Sequence, residues 1–324
     1  MNFAPNYSSF LLSWVALISG LVLLTAGGEF LVSGAAKLAK RFGMSSLLIG
    51  LTVVAFGTSM PELFVGLIAL FQDHPDILTG NVIGSNIANV GLILGACALI
   101  TPLPVRFKSV ALELYIVLAA TIIVFLAAWH GIFPRYLGFI FFASLIFYTF
   151  QSFHLAAKKS KRVQKNDPEP QQQLREKYSL SVIVPLTAAG LIVLPIGSNF
   201  FIKGAVDIAR YLGVSELVIG LTLAALGTSL PELASCLAAI RLKQTNILAG
   251  NIIGSNLFNI LMVLGFCGLI IPYPLSGNLL TRDIPIMFSF SAVLLPILAV
   301  QQGLNRLHGF ILFAAYAGYL YVLR

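Results

Sequence analysis

Two glutamates of this sequence lie inside long apolar runs, and each ends the same short polar motif. The motif reads GTSMPE up to Glu62 and GTSLPE up to Glu232. A carboxylate in the middle of a membrane helix costs roughly 2.5–3.5 kcal/mol to insert, and a cation bound between two of them offsets that cost and their repulsion. Each proline lacks an N–H and disturbs the preceding turn, which frees carbonyl oxygens. The paired motifs therefore predict a cation site within a membrane.

The hydroxyls next to these glutamates can join the same site. Thr58, Ser59 and Glu62 stand at i, i+1 and i+4, so their oxygens can converge on one side of a helical turn. The second motif repeats this spacing with Thr228, Ser229 and Glu232.

A second pair of motifs adds hydroxyl and amide oxygens. GNVIGSNIAN at 80–89 returns as GNIIGSNLFN at 250–259. Each copy places three polar side chains four residues apart on one helical face: Asn81, Ser85 and Asn89, then Asn251, Ser255 and Asn259. We interpret the serines and the last asparagine of each copy as ligands. Asn81 and Asn251 are either ligands or hydrogen-bonding partners between helices.

Carboxylate, hydroxyl, amide and carbonyl groups are hard oxygen donors, which suit Ca²⁺ and Na⁺. The histidines and cysteines lie away from these motifs, except that Cys236 is one turn past Glu232. This disfavours zinc or copper, and we expect no cofactor and no enzymatic activity.

The composition indicates an integral membrane protein. Of 324 residues, 58% are hydrophobic and 10% are charged, with a mean hydropathy of +0.93, whereas soluble domains carry about 25% charged residues. This excludes an ordinary cytosolic enzyme, a nucleic-acid binder and a disordered regulator, and makes membrane lipid the expected surrounding. We predict an all-α fold of ten membrane helices. They lie near 12–36, 45–71, 79–100, 109–129, 132–154, 180–208, 215–241, 249–271, 283–301 and 305–323.

The chain contains an internal repeat with an offset of 170 residues. Residues 43–95 and 213–265 are identical at 27 of 53 positions without a gap. Each repeat unit has five predicted helices, so the second must enter the membrane from the opposite side, as in many secondary transporters. We divide the chain into a first unit at 1–154, a polar linker at 155–178 and a second unit at 179–324.

The basic residues predict the orientation. With the N-terminus outside, 15 of the 20 Lys and Arg residues fall on the inner side, and five fall on the outer side. The positive-inside rule then places both termini outside and the 155–178 linker in the cytoplasm. We therefore expect a multi-pass protein of the plasma membrane, which is the inner membrane in a bacterium.

The paired motifs at 50–95 and 220–265 resemble the repeats of the cation/calcium exchanger superfamily, the sodium/calcium exchangers, in the minimal prokaryotic form. The resemblance covers essentially the whole chain. It implies that the first and sixth helices slide to switch access, and that ions bind between helices 2, 3, 7 and 8. The implied ligands are Thr58, Ser59, Glu62, Ser85, Asn89, Thr228, Ser229, Glu232, Ser255 and Asn259, with the carbonyls of Ala55 and Ala225.

We therefore predict an antiporter that exchanges Na⁺ for Ca²⁺ by alternating access, extrudes Ca²⁺ and functions as a monomer. Potassium-dependent exchangers resemble this pattern but have Asp where this chain has Asn259, and proton/calcium exchangers typically read GNATE at the GTSMPE position. Two alternatives stay open at this point: a proton- or potassium-coupled cation antiporter, and, in another class, a passive cation channel.

We interpret four other acidic residues in or near the predicted helices as structural or gating: Glu29, Glu113, Asp207 and Asp283. Asp207 could pair with Lys203, one turn earlier.

Overall fold

The computed structural model describes residues 6–7, 9–166, 179–214, 227–275 and 279–322. Ten helices follow one another in this part of the chain. The first five are α1 (Phe10–Phe42), α2 (Ser46–Phe71), α3 (Pro75–Ile100), α4 (Ala111–Trp129) and α5 (Arg135–Asn166). The other five are α6 (Leu180–Tyr211), α7 (Leu230–Arg241), α8 (Thr245–Ile270), α9 (Leu279–Gln301) and α10 (Arg306–Val322).

Eight helices of the described ranges are long and apolar enough to cross a membrane, namely all except α7 and α10. The described part of α7 has 12 residues and α10 has 17. Two of the predicted helices were too short at their C-terminal ends. The first helix continues past residue 36 to Phe42, and α5 continues past residue 154 to Asn166. Polar residues can extend a membrane helix into water, where hydropathy no longer marks its end.

The site motifs lie on interrupted helices. α2 contains a π-helical segment at Gly50–Val54 and leaves helical geometry at Ser59, where φ is −84° and ψ is 0°. α3 and α8 contain π-helical segments at equivalent positions, Asn89–Leu94 and Asn259–Leu264. Such segments are frequent at functional sites because they re-aim side chains and loosen backbone pairing.

α8 runs through the centre of the molecule, and every residue from Ile247 to Gly265 is buried. Its backbone touches α2 closely. A Cβ atom added to Gly254 would lie 2.6 Å from the Leu51 carbonyl oxygen and 2.7 Å from the Ala55 Cβ. Glycine is therefore required there for the close contact, as expected for a small-xxx-small pattern in a membrane helix.

Short backbone pairings join the loops at the two ends of the helices. β1 (Ile132–Phe133) pairs antiparallel with β2 (Tyr273–Pro274), and this links the α4–α5 loop to the α8–α9 loop. A single antiparallel bridge between Leu103 and Leu304 links the α3–α4 loop to the α9–α10 loop. The two pairings lie at opposite ends of α4 and of α9.

Candidate functional site

Glu62 and Glu232 are both completely buried. Each lies in the first turn after the proline, Glu62 in the second part of α2 and Glu232 in α7. A helix N-terminus favours negative charge there, which offsets part of the cost of burial. No oxygen of either carboxylate has a hydrogen-bond partner among the described residues.

Other oxygens of the predicted ligand set also lack a hydrogen-bond partner among the described residues. The buried hydroxyls of Ser59 and Ser229 have no partner in the described part of the chain, and neither do the Oδ1 atoms of Asn89 and Asn259. Buried polar atoms are almost always hydrogen-bonded, because an unpaired one costs about 1–3 kcal/mol. A group of unpaired oxygens around two carboxylates is therefore suited to a cation that replaces its hydration shell with protein oxygens.

The two threonines form reciprocal contacts between the halves of the chain. Thr58 donates to Asn251 Oδ1 at 3.1 Å, and Thr228 donates to Asn81 Oδ1 at 3.0 Å. The two contacts are equivalent in the repeat, because Thr58 and Thr228, and likewise Asn81 and Asn251, are 170 positions apart. Ser255 also belongs to this group, with its hydroxyl 3.3 Å from that of Thr58.

These contacts extend to the backbone of both glutamates. Asn81, which accepts from Thr228, contacts the Glu62 carbonyl at 3.4 Å. Ser235, which accepts from Asn251, donates to the Glu232 carbonyl at 2.9 Å. The carboxylate oxygens themselves remain unpaired among the described residues.

The serines and asparagines of α3 and α8 also meet, but not symmetrically. Asn89 donates to Asn256 Oδ1 at 3.0 Å, whereas Asn259 donates to the Ser85 hydroxyl at 2.9 Å. Ser85 in turn contacts the Val82 carbonyl at 3.1 Å. In both pairs the amide nitrogen of Asn89 or Asn259 donates a hydrogen bond to the other helix, and the amide oxygen is left unpaired among the described residues.

Asn81 and Asn251, whose role the sequence left open, act as connectors between helices. Asn81 Nδ2 contacts the Glu62 carbonyl at 3.4 Å, and Asn251 Nδ2 donates to the Ser235 hydroxyl at 2.8 Å. Their amide oxygens accept hydrogen bonds from the threonines, so both the nitrogen and the oxygen of each amide have a partner.

The carbonyl oxygens of the predicted set are harder to place. The Ala55 carbonyl accepts a hydrogen bond from the Ser59 N–H at 3.0 Å and lies 3.4 Å from the Thr58 hydroxyl, which donates at the shorter distance to Asn251. Ala225 lies outside the described residues.

Asn86 and Asn256 are members of this polar cluster that the sequence analysis did not select. Asn86 Oδ1 is buried and unpaired among the described residues, and Asn256 accepts from Asn89. Both stand in the repeated GSN triplet. The repeat could therefore have identified them. They were not selected because Asn86 is five positions after Asn81 and does not share the helical face of the residues at i, i+4 and i+8.

The four acidic residues that we interpreted as structural or gating have protein partners. Glu29 is paired with Arg241 at 2.8 Å, and Asp283 with Arg282 at 2.9 Å. Glu113 accepts a hydrogen bond from the Tyr148 hydroxyl at 2.7 Å. These contacts are consistent with a structural role for the three acidic side chains.

Asp207 is held differently from our expectation. It forms an ion pair with Arg210, at 3.5 Å, rather than with Lys203. It also accepts from the backbone N–H groups of Asn6 and Tyr7 at 3.0 and 2.8 Å. Asp207 therefore ties the N-terminal segment to the end of α6.

The family model described as sodium/calcium exchanger protein matches residues 12–153 and 182–324. The sodium/calcium exchanger MaX1 of Methanosarcina acetivorans is 32% identical over 96% of this chain and 98% of its own. The inner membrane protein YrbG of Escherichia coli is 36% identical over 87% of each chain. A structure of the sodium-calcium exchanger NCX_Mj soaked with Na⁺ and Sr²⁺ superposes with a TM-score of 0.81 at 31% identity, and the match covers 98% of this chain and 100% of that one.

Proposed function

The chain belongs to the sodium/calcium exchanger family, and we propose that it exchanges Na⁺ for Ca²⁺ at the cluster around Glu62 and Glu232. The observation that carries this proposal is the set of buried oxygens in the cluster that have no partner among the described residues: four carboxylate, two serine hydroxyl and three asparagine amide oxygens. Ca²⁺ takes six to eight such oxygens in proteins. The family is one of transporters, so an enzymatic reaction is not part of the proposal.

We assign the ligand roles as follows. The two carboxylates supply the charge, which balances one Ca²⁺ or two Na⁺. The uncharged oxygens complete the shell and can hold a third Na⁺: Thr58, Ser59, Ser85, Asn89, Thr228, Ser229, Ser255 and Asn259, with the carbonyls of Ala55 and Ala225 as the family resemblance implies. All of these groups come from one chain, so a monomer suffices.

We further propose that the two five-helix units are inverted copies that permit alternating access. The loop pairings support this. The Leu103–Leu304 bridge joins the loops after the third and ninth helices, and the Phe133–Tyr273 pair joins those after the fourth and eighth. Residues 103 and 273 are related by the repeat offset, yet their pairings lie at opposite ends of α4 and α9. Equivalent loops on opposite sides are what an inverted repeat requires.

The same contacts bring together loops that the count of basic residues assigns to one side of the membrane. The loops expected inside pair with each other through Leu103 and Leu304, and those expected outside pair through Phe133 and Tyr273. Similarity to an inner membrane protein of E. coli supports a plasma-membrane location. We propose that both termini lie outside, that the 155–178 linker is cytoplasmic, and that the Na⁺ gradient drives Ca²⁺ out.

Uptake of ⁴⁵Ca²⁺ into proteoliposomes tests the function directly. We expect uptake when Na⁺ is trapped inside and absent outside, and none when the gradients are of K⁺ or H⁺ alone. Uptake driven by a pH gradient, or an absolute need for K⁺, would establish one of the alternative antiporters. A passive channel would show no acceleration by unlabelled Ca²⁺ on the opposite side, whereas an exchanger shows counterflow.

The stoichiometry can be measured in the same vesicles. One net charge moved per cycle is worth about 2.3 kcal/mol per 100 mV. A membrane potential set with K⁺ and valinomycin should therefore shift the attainable Ca²⁺ gradient if three Na⁺ are exchanged, and leave it unchanged if two are exchanged.

A further inference from the structure

The contacts between α3 and α8 are asymmetric, although the residues that form them are of the same types in both halves. Asn89 donates to Asn256 Oδ1 at 3.0 Å, and the equivalent contact in the repeat would run from Asn259 to Asn86 Oδ1. Asn259 instead donates to the Ser85 hydroxyl at 2.9 Å. The asymmetry therefore lies in the conformation and not in the types of these side chains.

Asn86 is the residue that this asymmetry leaves without its contact. Its side chain is almost fully buried, and its Oδ1 has no hydrogen-bond partner among the described residues. Its Nδ2 donates to the Val82 carbonyl at 2.9 Å, within α3. Because a buried amide oxygen is normally paired, Asn86 offers an acceptor to a donor that lies elsewhere in this structure.

Asn86 and Asn256 also contact each other. Asn256 Nδ2 lies 3.5 Å from the Asn86 carbonyl oxygen, and the two residues are equivalent in the repeat, 170 positions apart. In a repeat related by a two-fold axis, only residues close to that axis can contact their own equivalents. Both asparagines therefore lie near the pseudo-two-fold axis of the proposed inverted repeat, where its two halves meet.

We propose that Asn86 and Asn256 are positioning residues, each of which accepts a hydrogen bond from the ligand amide of the opposite half in one access state only. In the structure Asn256 accepts from Asn89. In the other state Asn86 accepts from Asn259, and the contact between Asn89 and Asn256 is lost. This inference rests on the proposed function, because it requires two access states in which the halves of the chain exchange roles.

The serines provide the alternative acceptors. Ser85 accepts from Asn259 in the structure, whereas its equivalent Ser255 lies 3.3 Å from the Thr58 hydroxyl. In the other state Ser255 accepts from Asn89. Each ligand amide thus has an acceptor for its nitrogen in both states, while its oxygen stays unpaired for a cation. The site changes its access without losing the orientation of these oxygens.

Removing either acceptor should shift the balance between the two states, in opposite directions. Asn256→Ala removes the acceptor used in the structure, and Asn86→Ala removes the one used in the other state. The measurement is the half-saturating Ca²⁺ concentration at each face, from ⁴⁵Ca²⁺ uptake into right-side-out and inside-out vesicles. The ratio of the two values follows the equilibrium constant between the states. We expect it to rise about fivefold in one variant and to fall about fivefold in the other, as for the loss of one buried hydrogen bond.

The double variant Asn86→Ala/Asn256→Ala distinguishes this switch from a purely structural role. The two shifts should cancel and return the ratio to that of wild type, although the protein has lost both side chains. Asn86→Ser and Asn256→Ser, which are too short to reach the ligand amides, make the same comparison if the alanine variants do not fold. Shifts in the same direction, or shifts that add in the double variant, would overturn the proposal.

Ser291 provides a matched control. Its hydroxyl is buried and unpaired among the described residues, and it lies in α9, which carries none of the proposed ligands. Ser291→Ala should leave the ratio at the wild-type value. A change as large as that of the asparagine variants would show that the ratio responds to any buried polar deletion, and would also overturn the proposal.

Deuterium exchange of the purified protein separates this proposal from the proposed function, because it needs no transport. Met60–Phe71 of α2 and Leu230–Arg241 of α7 are equivalent segments, and the ratio of their deuterium uptake should shift in opposite directions in Asn86→Ala and Asn256→Ala. Opposite shifts in a protein that never exchanges Na⁺ for Ca²⁺ would contradict the proposed function and leave the switch standing. Normal exchange without opposite shifts would contradict the switch alone.

Discussion

The hydroxyl of Thr58 in α2 lies 3.1 Å from the Oδ1 of Asn251 in α8, and the two residues are 193 positions apart in the chain. The equivalent contact between Thr228 and Asn81 is 3.0 Å long. Each half of the chain thus contributes a threonine to the asparagine of the other half. Equivalent substitutions in the two halves should therefore have similar effects.

Thr58→Val and Thr228→Val test this equivalence. Valine keeps the shape of threonine and removes the donor, so Asn251 Oδ1 or Asn81 Oδ1 loses that hydrogen bond. We expect each variant to lose about 1–3 kcal/mol of folding stability in the absence of Ca²⁺ and to transport Ca²⁺ more slowly. Thermal unfolding and ⁴⁵Ca²⁺ uptake measure the two effects. A loss confined to one variant would contradict the reciprocal geometry.

Glu62→Gln and Glu232→Gln should each abolish or severely reduce Ca²⁺ exchange, because each removes half the charge that replaces the ion's hydration shell. Both should remain at least as stable as wild type without Ca²⁺, since a buried charge is removed. At a Ca²⁺ concentration 100 times the dissociation constant, wild type should gain about 2.7 kcal/mol and the variants should not.

The exposed Lys158 provides a control for these charge changes. Lys158→Gln should preserve both exchange and the thermal shift. Near-normal transport by the two purified glutamine variants would remove the glutamates from the site.

Asn259→Asp adds a third carboxylate to the cluster, at an amide whose oxygen is buried and unpaired among the described residues. Ca²⁺ then competes with one more proton, so Ca²⁺ flux should fall more steeply than in wild type as the pH is lowered. Asn89→Asp should behave similarly, and Lys158→Gln serves as the control for both variants. pH profiles that superimpose on that of wild type would leave the two asparagines as packing residues only.

Transport should require Na⁺ on the side opposite Ca²⁺ and should tolerate the removal of K⁺. Asn259 can coordinate an ion through its amide oxygen but adds no negative charge, so a cotransported K⁺ would lack a counter-charge. Replacing K⁺ by choline in the vesicle assay should leave the rate unchanged. In Asn259→Asp the same replacement should lower the rate, if the added carboxylate recruits K⁺.

Gly254→Ala should impair folding and exchange together. The added methyl would lie within 2.7 Å of the Leu51 carbonyl oxygen and the Ala55 Cβ, which forces α2 away from α8 beside the site. Overpacking of this kind costs about 1–3 kcal/mol. Gly318→Ala, where nothing lies within 4 Å, should instead stabilise α10 slightly. Equal thermal stability of the two variants would contradict the close α2–α8 packing.

The sequence alone determined the number of apolar runs, the repeat and the chemical types of the site residues. These features are local. A membrane helix needs about 20 apolar residues, and a repeated polar motif within such a run is easily recognised because the surrounding residues are apolar. Glu62 and Glu232 were predicted to be buried acids in polar motifs, and the structure places both in the interior with unpaired oxygens.

Only the tertiary structure decided how the polar groups are paired. Asn89 meets Asn256, 167 positions away, whereas Asn259 meets Ser85 rather than Asn86. Helical spacing predicts which side chains share a face, but not which face of a distant helix lies opposite. That depends on close packing such as the contact at Gly254, where the absence of a side chain lets two backbones touch. The sequence therefore supplied the candidate ligand residues, and helix packing decided which of their oxygens remain unpaired.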